Sequence, residues 1–574
     1  MEDNEYQEDL ILELKSRFTE LDQERLDWED TWIKLSESIM PTNGVFIRSL
    51  RRSSIDSNGV RSEDNSRKVP FFNSTNNKTA YDAVRKAASG FHAKGTSPSR
   101  KWFELSSKNL DALDEDSKKW LKSQSNKMLG YFSRNNVYGT IFEVYIDLLV
   151  FGSACLILHD QDKKGIFLEH VDVGQFYWDI DHFNNVDTFC RKVKFTIRQL
   201  EQRFGYDALC ESSKEKFDNK KFNDTVDVFQ WIMPRRDYEP DKDNVKLKKY
   251  AEYWYEDSNN EYLLFETGYD YFPVLTPRFG VRPGCVYGYS PGMYTLGDIL
   301  TLEHAIEKRG HVLDLLVSPP ISVPNEMGNQ GLRFEPGAVF VSPMTGNGVN
   351  VLQAGGNGIQ AIQMFVDETR KEIQSGFFAD VFMMIQLADK DNMKAAEVIE
   401  RREEKMAMIG PAIEYIVSDF IKPLVEKTFH IMMSSGLFDE PPESFTNKAD
   451  KLGFDVEFLS PLLAAQRAND IQAINGFIQN VAALGSEQAI DRIDIDNTIT
   501  ALADLHNPPR EVLRSKEDAD KLREQRQQMI QAQQQMAMAE QGAKVVESLN
   551  KSRGAGASGG FDSLAAAQQQ MEQI

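Results

Sequence analysis

Apolar side chains recur along residues 1 to 40 in a three-four alternation, at Ile11, Leu14, Phe18, Leu21, Trp28, Trp32, Leu35 and Ile39. That spacing predicts one amphipathic helix, stopped by Pro41. Its stripe is broken once, by Arg25, where the period would place another apolar group. Such a helix either packs on its own domain or meets a neighbouring subunit. Farther on the period shortens to two: Phe167 to Val173, Val226 to Ile232 and Tyr250 to Tyr255 alternate polar residues with β-branched and aromatic ones, which predicts strands in a mixed α/β region over residues 140 to 290. The most apolar run, Ile146 to Leu158, is short of the roughly 20 residues that a membrane helix needs.

Helical periodicity returns after a turn-rich corner. Gly288, Pro291 and Gly292 lead directly into a stripe of Met293, Leu296, Leu300 and Ile306, so a helix is expected from Pro291 to Ser318, ended by Pro319 and Pro320. At 1.5 Å per residue it would span roughly 40 Å. A Gly/Pro-rich stretch runs to Gly358, with short strands expected at Val339 to Val341 and Val349 to Leu352. A second long helix begins near Ile359, with Ile362, Val366, Ile373 and Phe377 on one face. After Phe382 the segment MMIQLADKDNMK interrupts it, and a helix restarts around Ala395 with bends expected near Gly410-Pro411 and Pro423. Residues 460 to 506 are again helical in pattern. Beyond Ser515 a Gln-, Ala- and Met-rich helix runs to about Lys551 before the flexible GAGASGG.

Length and charge narrow the function. A chain of 574 residues implies roughly four structural units. A net charge of −22 argues against a protein whose main work is tight binding of phosphate backbones. The charge is uneven: Gly44 to Glu104 carries twelve Lys/Arg against five Asp/Glu, leaving −29 for the rest. Within it, residues 48 to 68 are rich in Ser, Arg and Asn and predict a loop, while the basic segment as a whole suits either solvent or an acidic face of a neighbouring subunit. Cys155, Cys190, Cys210 and Cys285 form no C-x-x-C pair, so reduced and mostly buried thiols are expected. The acidic N-terminus lacks the features of a signal peptide.

Catalytic patterns are missing from the sequence. No G-x-x-x-x-G-K-[ST] run is present to cradle nucleotide phosphates, and no H-E-x-x-H. Gly355-Gly356-Asn357-Gly358 before a helix lacks the strand and the acid of a dinucleotide site. His304 and His311 share a helix face without a third ligand in the sequence nearby. Glu397, Glu400, Glu403 and Glu404 are interleaved with Arg401, Arg402 and Lys405, a pattern of ion-paired surface rather than of a metal-dependent nuclease. No enzyme activity, cofactor or metal is expected.

Five segments, in order, carry a resemblance: ASGFHAKGTSPSRKWFEL (Ala88 to Leu105), YGYSPGM (Tyr287 to Met293), KAAEVIERREEK (Lys394 to Lys405), SPLLAAQRA (Ser460 to Ala468) and NPPREVLRS (Asn507 to Ser515). Together they make the chain resemble the portal proteins, or head-to-tail connectors, of short-tailed bacteriophages, over about residues 10 to 530. The resemblance implies an α+β, mainly helical fold with the portal anatomy. Residues 1–290 would form N-terminal helices and a mixed α/β wing, 291–318 and 358–383 the two stem helices, and 319–357 the clip. Residues 384–395 would form the tunnel loop, 396–455 a long bent wing helix, 456–515 the crown, and 516–574 a helical tail or barrel. It further implies a homo-oligomeric, dodecameric ring at one capsid vertex. Its partners would be the major capsid and scaffolding proteins, the terminase large subunit, tail adaptors and double-stranded DNA passing non-specifically, with no membrane; before incorporation into the virion it would sit in the host cytoplasm. On that anatomy Lys390 and Lys394 would face the DNA channel, Asn325, Asn329 and Arg333 would meet the motor or adaptor, and Gly288, Pro291 and Gly292 would set the start of the stem. A ring-shaped tail adaptor, or another virion connector without a packaging role, is the alternative.

Overall fold

The alternation over residues 1 to 40 forms a single helix, α1 (Glu2–Ser38), in the computed structural model of the protein. The structure describes residues 2–40, 77–107, 115–160, 166–236, 247–259, 261–323, 338–341, 350–351, 357–382, 409–442 and 454–458, with a few isolated positions. Two compact units divide the chain, Met1–Gln472 and Ala473–Ile574, and every element named here lies in the first. The two ends of α1 serve different cores. Ile11, Leu14 and Leu21 are buried with Tyr177, Phe229 and Tyr255, whereas Trp32, Leu35 and Ile39 join the main core. Of the two readings of its apolar face, packing on its own domain is the one observed.

The main core is built around α4 (Val137–Phe151), buried on nearly every side. Against it lie α2 (Thr79–Gly95), through Ala80, Val84, Ala87 and Phe91, and α3 (Glu115–Arg134), which follows strand β1 (Phe103–Ser107). The long apolar run of the sequence is divided here. Helix α4 stops at Phe151, Gly152 in the left-handed region (φ 80°) donates its N–H to the Asp147 and Leu148 carbonyls, and β2 (Cys155–Asp160) begins at once. No helix among the described residues is long and apolar enough to cross a membrane.

Strand β2 pairs antiparallel with β3 (Ile166–Val171) and with β9 (Val274–Leu275). The larger sheet is an antiparallel meander, β4 (Phe176–Ile180), β5 (Val186–Thr196), β6 (Thr225–Pro234), β7 (Tyr250–Glu256) and β8 (Phe265–Tyr269). Helices α5 (Ile197–Phe204) and α6 (Glu211–Asp218) are inserted between β5 and β6. One face of this sheet carries Tyr177, Cys190, Phe229, Trp231, Tyr253 and Tyr255 under α1; the other carries Val226, Val228 and Trp254 with α5 residues Ile197 and Leu200.

Because both faces of this sheet are covered, the polar half of its alternation does not face water as it would in a sheet covered on one side. Arg191, Gln230 and Glu252 are buried, and they form a connected chain. The Arg191 guanidinium donates to Glu169 (2.6 Å) and to Gln230, Gln230 donates to Glu252, and Glu252 also accepts from Trp254 Nε1 (2.7 Å) and the Tyr269 hydroxyl (2.7 Å). Burial raises the Glu169 pKa, but His159 and Arg191 outweigh it and bring the carboxyl down to about 2.

Helix α7 (Pro291–Val317) matches the expected first long helix nearly end to end, and α8 (Asn357–Gly376) is the second. Between them β10 (Ile321–Val323) pairs parallel with β11 (Val339–Val341) and antiparallel with β12 (Asn350–Val351). The buried face of α7 is Thr295, Ile299 and Leu302; Leu300, placed on the apolar stripe by periodicity, is exposed, because the helix turns its small Thr295 toward α8.

Near the expected bend at Pro423 the helix widens into a π turn (Val417–Ile421) that leads into α9 (Lys422–Ser434). Proline lacks an N–H and crowds the carbonyl four residues back; the wider turn accommodates both, and Lys422 N–H bonds to Val417 instead. Strand β13 (Phe454–Phe458) then returns to pair antiparallel with β1.

Candidate functional site: the glycine corner and the paired long helices

The segment from Tyr287 to Met293 turns the chain into α7 against the exposed carbonyl end of α4. Ser290 is the N-cap: its hydroxyl accepts from Met293 N–H (3.0 Å) and donates to the Val150 carbonyl (2.7 Å), so one oxygen ties two helix ends together. Pro291 occupies the first turn, where no donor is needed. Gly288 N–H bonds to Ser153 Oγ (2.8 Å), and Phe279 N–H to the Gly152 carbonyl (2.9 Å). The backbones touch. A Cβ on Gly288 would stand 2.3 Å from the Gly152 oxygen, one on Gly152 2.3 Å from the Gly288 oxygen, and one on Gly292 2.7 Å from the Val150 oxygen. Gly288, Pro291 and Gly292, singled out in the sequence, are thus brought together with Gly152, which was not. Its signal in the sequence was a glycine closing the apolar run Ile146 to Phe151, a common helix end.

Aromatic rings fill the space beneath the corner. Tyr287 lies edge-on to Trp32 (centroids 5.1 Å apart) and stacks on Trp178 (5.6 Å). Beside them sits the misfit of the first helix. Arg25 is fully buried, its guanidinium 3.6 Å from the centre of the Tyr177 ring. It donates to the Gly174 (3.0 Å) and Phe176 (2.9 Å) carbonyls, the Tyr177 hydroxyl (2.7 Å) and Glu29 (2.8 Å). Burial works against its charge; Tyr177, Tyr287 and Glu29 overcome that and hold the pKa above its ordinary value. The broken stripe at Arg25 was visible in the sequence, whereas its partners some 150 residues away were not.

A second buried cation secures the other side. Arg278 donates to the Asn184 carbonyl (2.9 Å) and lies 3.6 Å from Asp419 on the π turn. Burial lowers its pKa against the pull of Asp419, and burial raises that of Asp419 against the pull of Arg278.

From this corner α7 runs beside α8. At their crossing a Cβ on Gly376 would stand 2.2 Å from Thr295 Cγ2, and farther along Arg309 donates to Gln363 (2.9 Å). Below α8 the Phe382 ring fills the place of a side chain at Gly90 of α2. Toward solvent the two helices keep large apolar groups exposed: Tyr294, Leu300, Leu313 and Val317 on α7, Met364 and Phe365 on α8. His304 and His311 are exposed too, each 3.9 Å from Glu307 between them. Among the described residues no group of three His, Cys, Asp or Glu side chains is arranged to hold a metal ion. The four cysteines are free, three buried and Cys285 half-buried. Lys390, Lys394, Asn325, Asn329 and Arg333 lie outside the described residues.

These contacts set the direction in which the paired helices leave the core. Residues 12–513 match the family of bacteriophage head to tail connecting proteins. The portal protein of Salmonella phage epsilon15 is 29% identical over 548 residues, covering 94% of this chain and 95% of that protein. The probable portal protein of Bordetella phage BPP-1 is 29% identical over 544 residues, covering 93% and 94%.

Proposed function

This chain belongs to the family of bacteriophage head to tail connecting proteins, and from that premise we propose that it is the portal subunit of a phage, a component of the virion at one capsid vertex. The observation that carries this reading is the alignment of two portal proteins along 93–94% of its length. It works as a channel and not as an enzyme. Copies close into a ring of about twelve, and DNA moves through the axial opening, inward during packaging and outward on ejection. A ring needs a head-to-tail interface made of two different faces, since a self-complementary patch stops at a dimer. The exposed apolar groups along α7 and α8 suit such a contact.

In this reading α7 and α8 are the stem, residues 319–357 the clip that meets the terminase motor and later the tail adaptor, and residues 384–395 the tunnel loop. Asn325, Asn329 and Arg333 then stand at the clip contact. Lys390 and Lys394 make weak phosphate contacts along the channel. The corner at Gly288, Pro291 and Gly292 supports the stem assignment, since a load-transmitting helix pair needs a fixed base. Assembly takes place in the host cytoplasm, with capsid and scaffolding proteins as further partners.

Native mass measurement of the purified protein, with end-on images of the same sample, tests the ring. A closed ring of about twelve subunits with a central hole is expected, and a monomer or dimer over a wide concentration range would overturn it. Replacing Lys390 and Lys394 with Ala should leave rings intact while altering packaging or genome retention; loss of ring formation would remove those lysines from the channel.

A further inference from the structure

Two charged regions of this chain lie outside the corner and the paired long helices, and they are opposite in sign. Helix α1 holds thirteen Asp/Glu and four Lys/Arg. Of the four cations, Lys15 bonds to the Asp257 carbonyl, Arg17 pairs with Asp179, and Arg25 is buried. Its outer face therefore stays acidic. Glu8, Asp9, Glu20, Glu24, Asp27 and Asp30 are exposed, and none forms an ion pair with another described residue. Among these carboxylates lie Leu12 and Leu26, about half exposed and fourteen residues apart, hence on one side of the helix. Acidic groups around two exposed leucines are the layout of a docking face with apolar anchors.

The counterpart is the lobe formed by α2, β1 and α3. Its described positions between residues 77 and 134 carry eleven Lys/Arg and four Asp/Glu, in a chain whose total is −22. The buried side of α2 is apolar and rests on α4, which leaves Arg85 and Lys86 in solvent. Lys119 and Arg134 are exposed on α3. The two regions occupy different ends of α4: α2 packs beside Tyr138 and Tyr145, whereas Trp32 of α1 bonds to the Phe151 carbonyl.

We propose that the acidic outer face of α1 docks on the basic α2–β1–α3 lobe of a second copy of this chain. The contact is heterologous, one patch of each kind per subunit, so it propagates in one direction around a ring. It also fixes register, because sliding either face places like charges together. The inference rests on the ring reading proposed above and adds to it which surfaces meet.

Charge reversal tests it without disturbing the core. Glu20→Lys/Glu24→Lys/Asp27→Lys makes both patches basic, and Arg85→Glu/Lys86→Glu/Lys119→Glu makes both acidic. Each variant alone is expected to lower ring yield at low salt about tenfold, with native far-ultraviolet circular dichroism. Mixing the two at equal concentration is expected to restore rings, with the variants alternating. In wild-type rings of mixed isotope label, carbodiimide should join Asp or Glu of α1 to Lys of α2 or α3 between copies. Rings from both variants alone, or no rescue on mixing, would overturn the contact. So would a lobe variant that forms normal rings but loses binding to a 30-base-pair DNA probe, which would give the lobe to nucleic acid. A wild-type protein that stays monomeric sinks the ring reading itself, whereas wild-type rings indifferent to both reversals sink only this contact.

Discussion

The corner and the joints around the five-stranded sheet hold the same unit together by opposite means. At Gly152, Gly288 and Gly292 side chains are absent, and strength comes from backbone pressed on backbone. Around the sheet the joints are made by the ends of long polar side chains, Arg25 on Tyr177 and the Gly174 and Phe176 carbonyls, and Arg191 through Gln230 to Glu252. A close-packed backbone joint has no tolerance for added volume. A buried polar joint tolerates shape but not the loss of a partner, because the group left behind has no water to turn to.

The largest effect should therefore come from the smallest side chain. Gly288→Ala is expected to cost about 3 to 5 kcal/mol, read as a drop in thermal midpoint and soluble yield. If the variant were as stable as wild type, the backbone contact would not be the joint. Arg25→Met keeps the length of the side chain and removes its donors; a loss of about 3 kcal/mol is expected, and a loss under about 1 kcal/mol would show that packing alone holds α1 to β4.

The His170–Asp147 pair (2.8 Å) between β3 and α4 sharpens the contrast through pH. Burial opposes the imidazolium, but Asp147, Asp172 and Glu143 around it prevail and raise its pKa to about 9. A folded pKa above the unfolded value of roughly 6.5 gives stability that is full below that pH and is lost as pH rises through about 9. His170→Gln should flatten the fall in unfolding free energy between pH 6.5 and 9.5, by about 3 kcal/mol across that window; parallel curves would count against the charged pair. Asp172, with its carboxyl raised to about 6 by burial and by Asp147, titrates below this window. Removing the cap with Ser290→Ala should cost about 1 kcal/mol. Gly130→Ala, on α3 with open space around it, should stabilise by about 0.5 to 1 kcal/mol, the opposite sign for the same substitution made at Gly288.

Local signals explain what the sequence made legible. Ser290, Pro291 and the Pro319-Pro320 stop bracket α7 within a few residues, and the alternation in β6 and β7 is plain from their own side chains. Joints between distant segments were not legible. Nothing near Gly288 names Gly152 as its neighbour, and nothing around Gln230 shows that Arg191 and Glu252, on neighbouring strands, enclose it. Leu300 misled for a related reason: periodicity ranks side chains by apolarity, whereas the approach of Gly376 selects the small Thr295 for the interface. Of the motifs that carry the family resemblance, those at Ala88 to Leu105 and Tyr287 to Met293 fall on described elements, where they form α2, β1 and the entry to α7.

The pairing of β1 with β13 bears on time. Phe103 and Phe458 are partners in one ladder, so a strand made early in synthesis must wait for one made late. At the 5 to 20 residues per second of a ribosome, the wait is about 20 to 70 s. Through that interval the β1 edge lacks the strand that covers it in the finished fold.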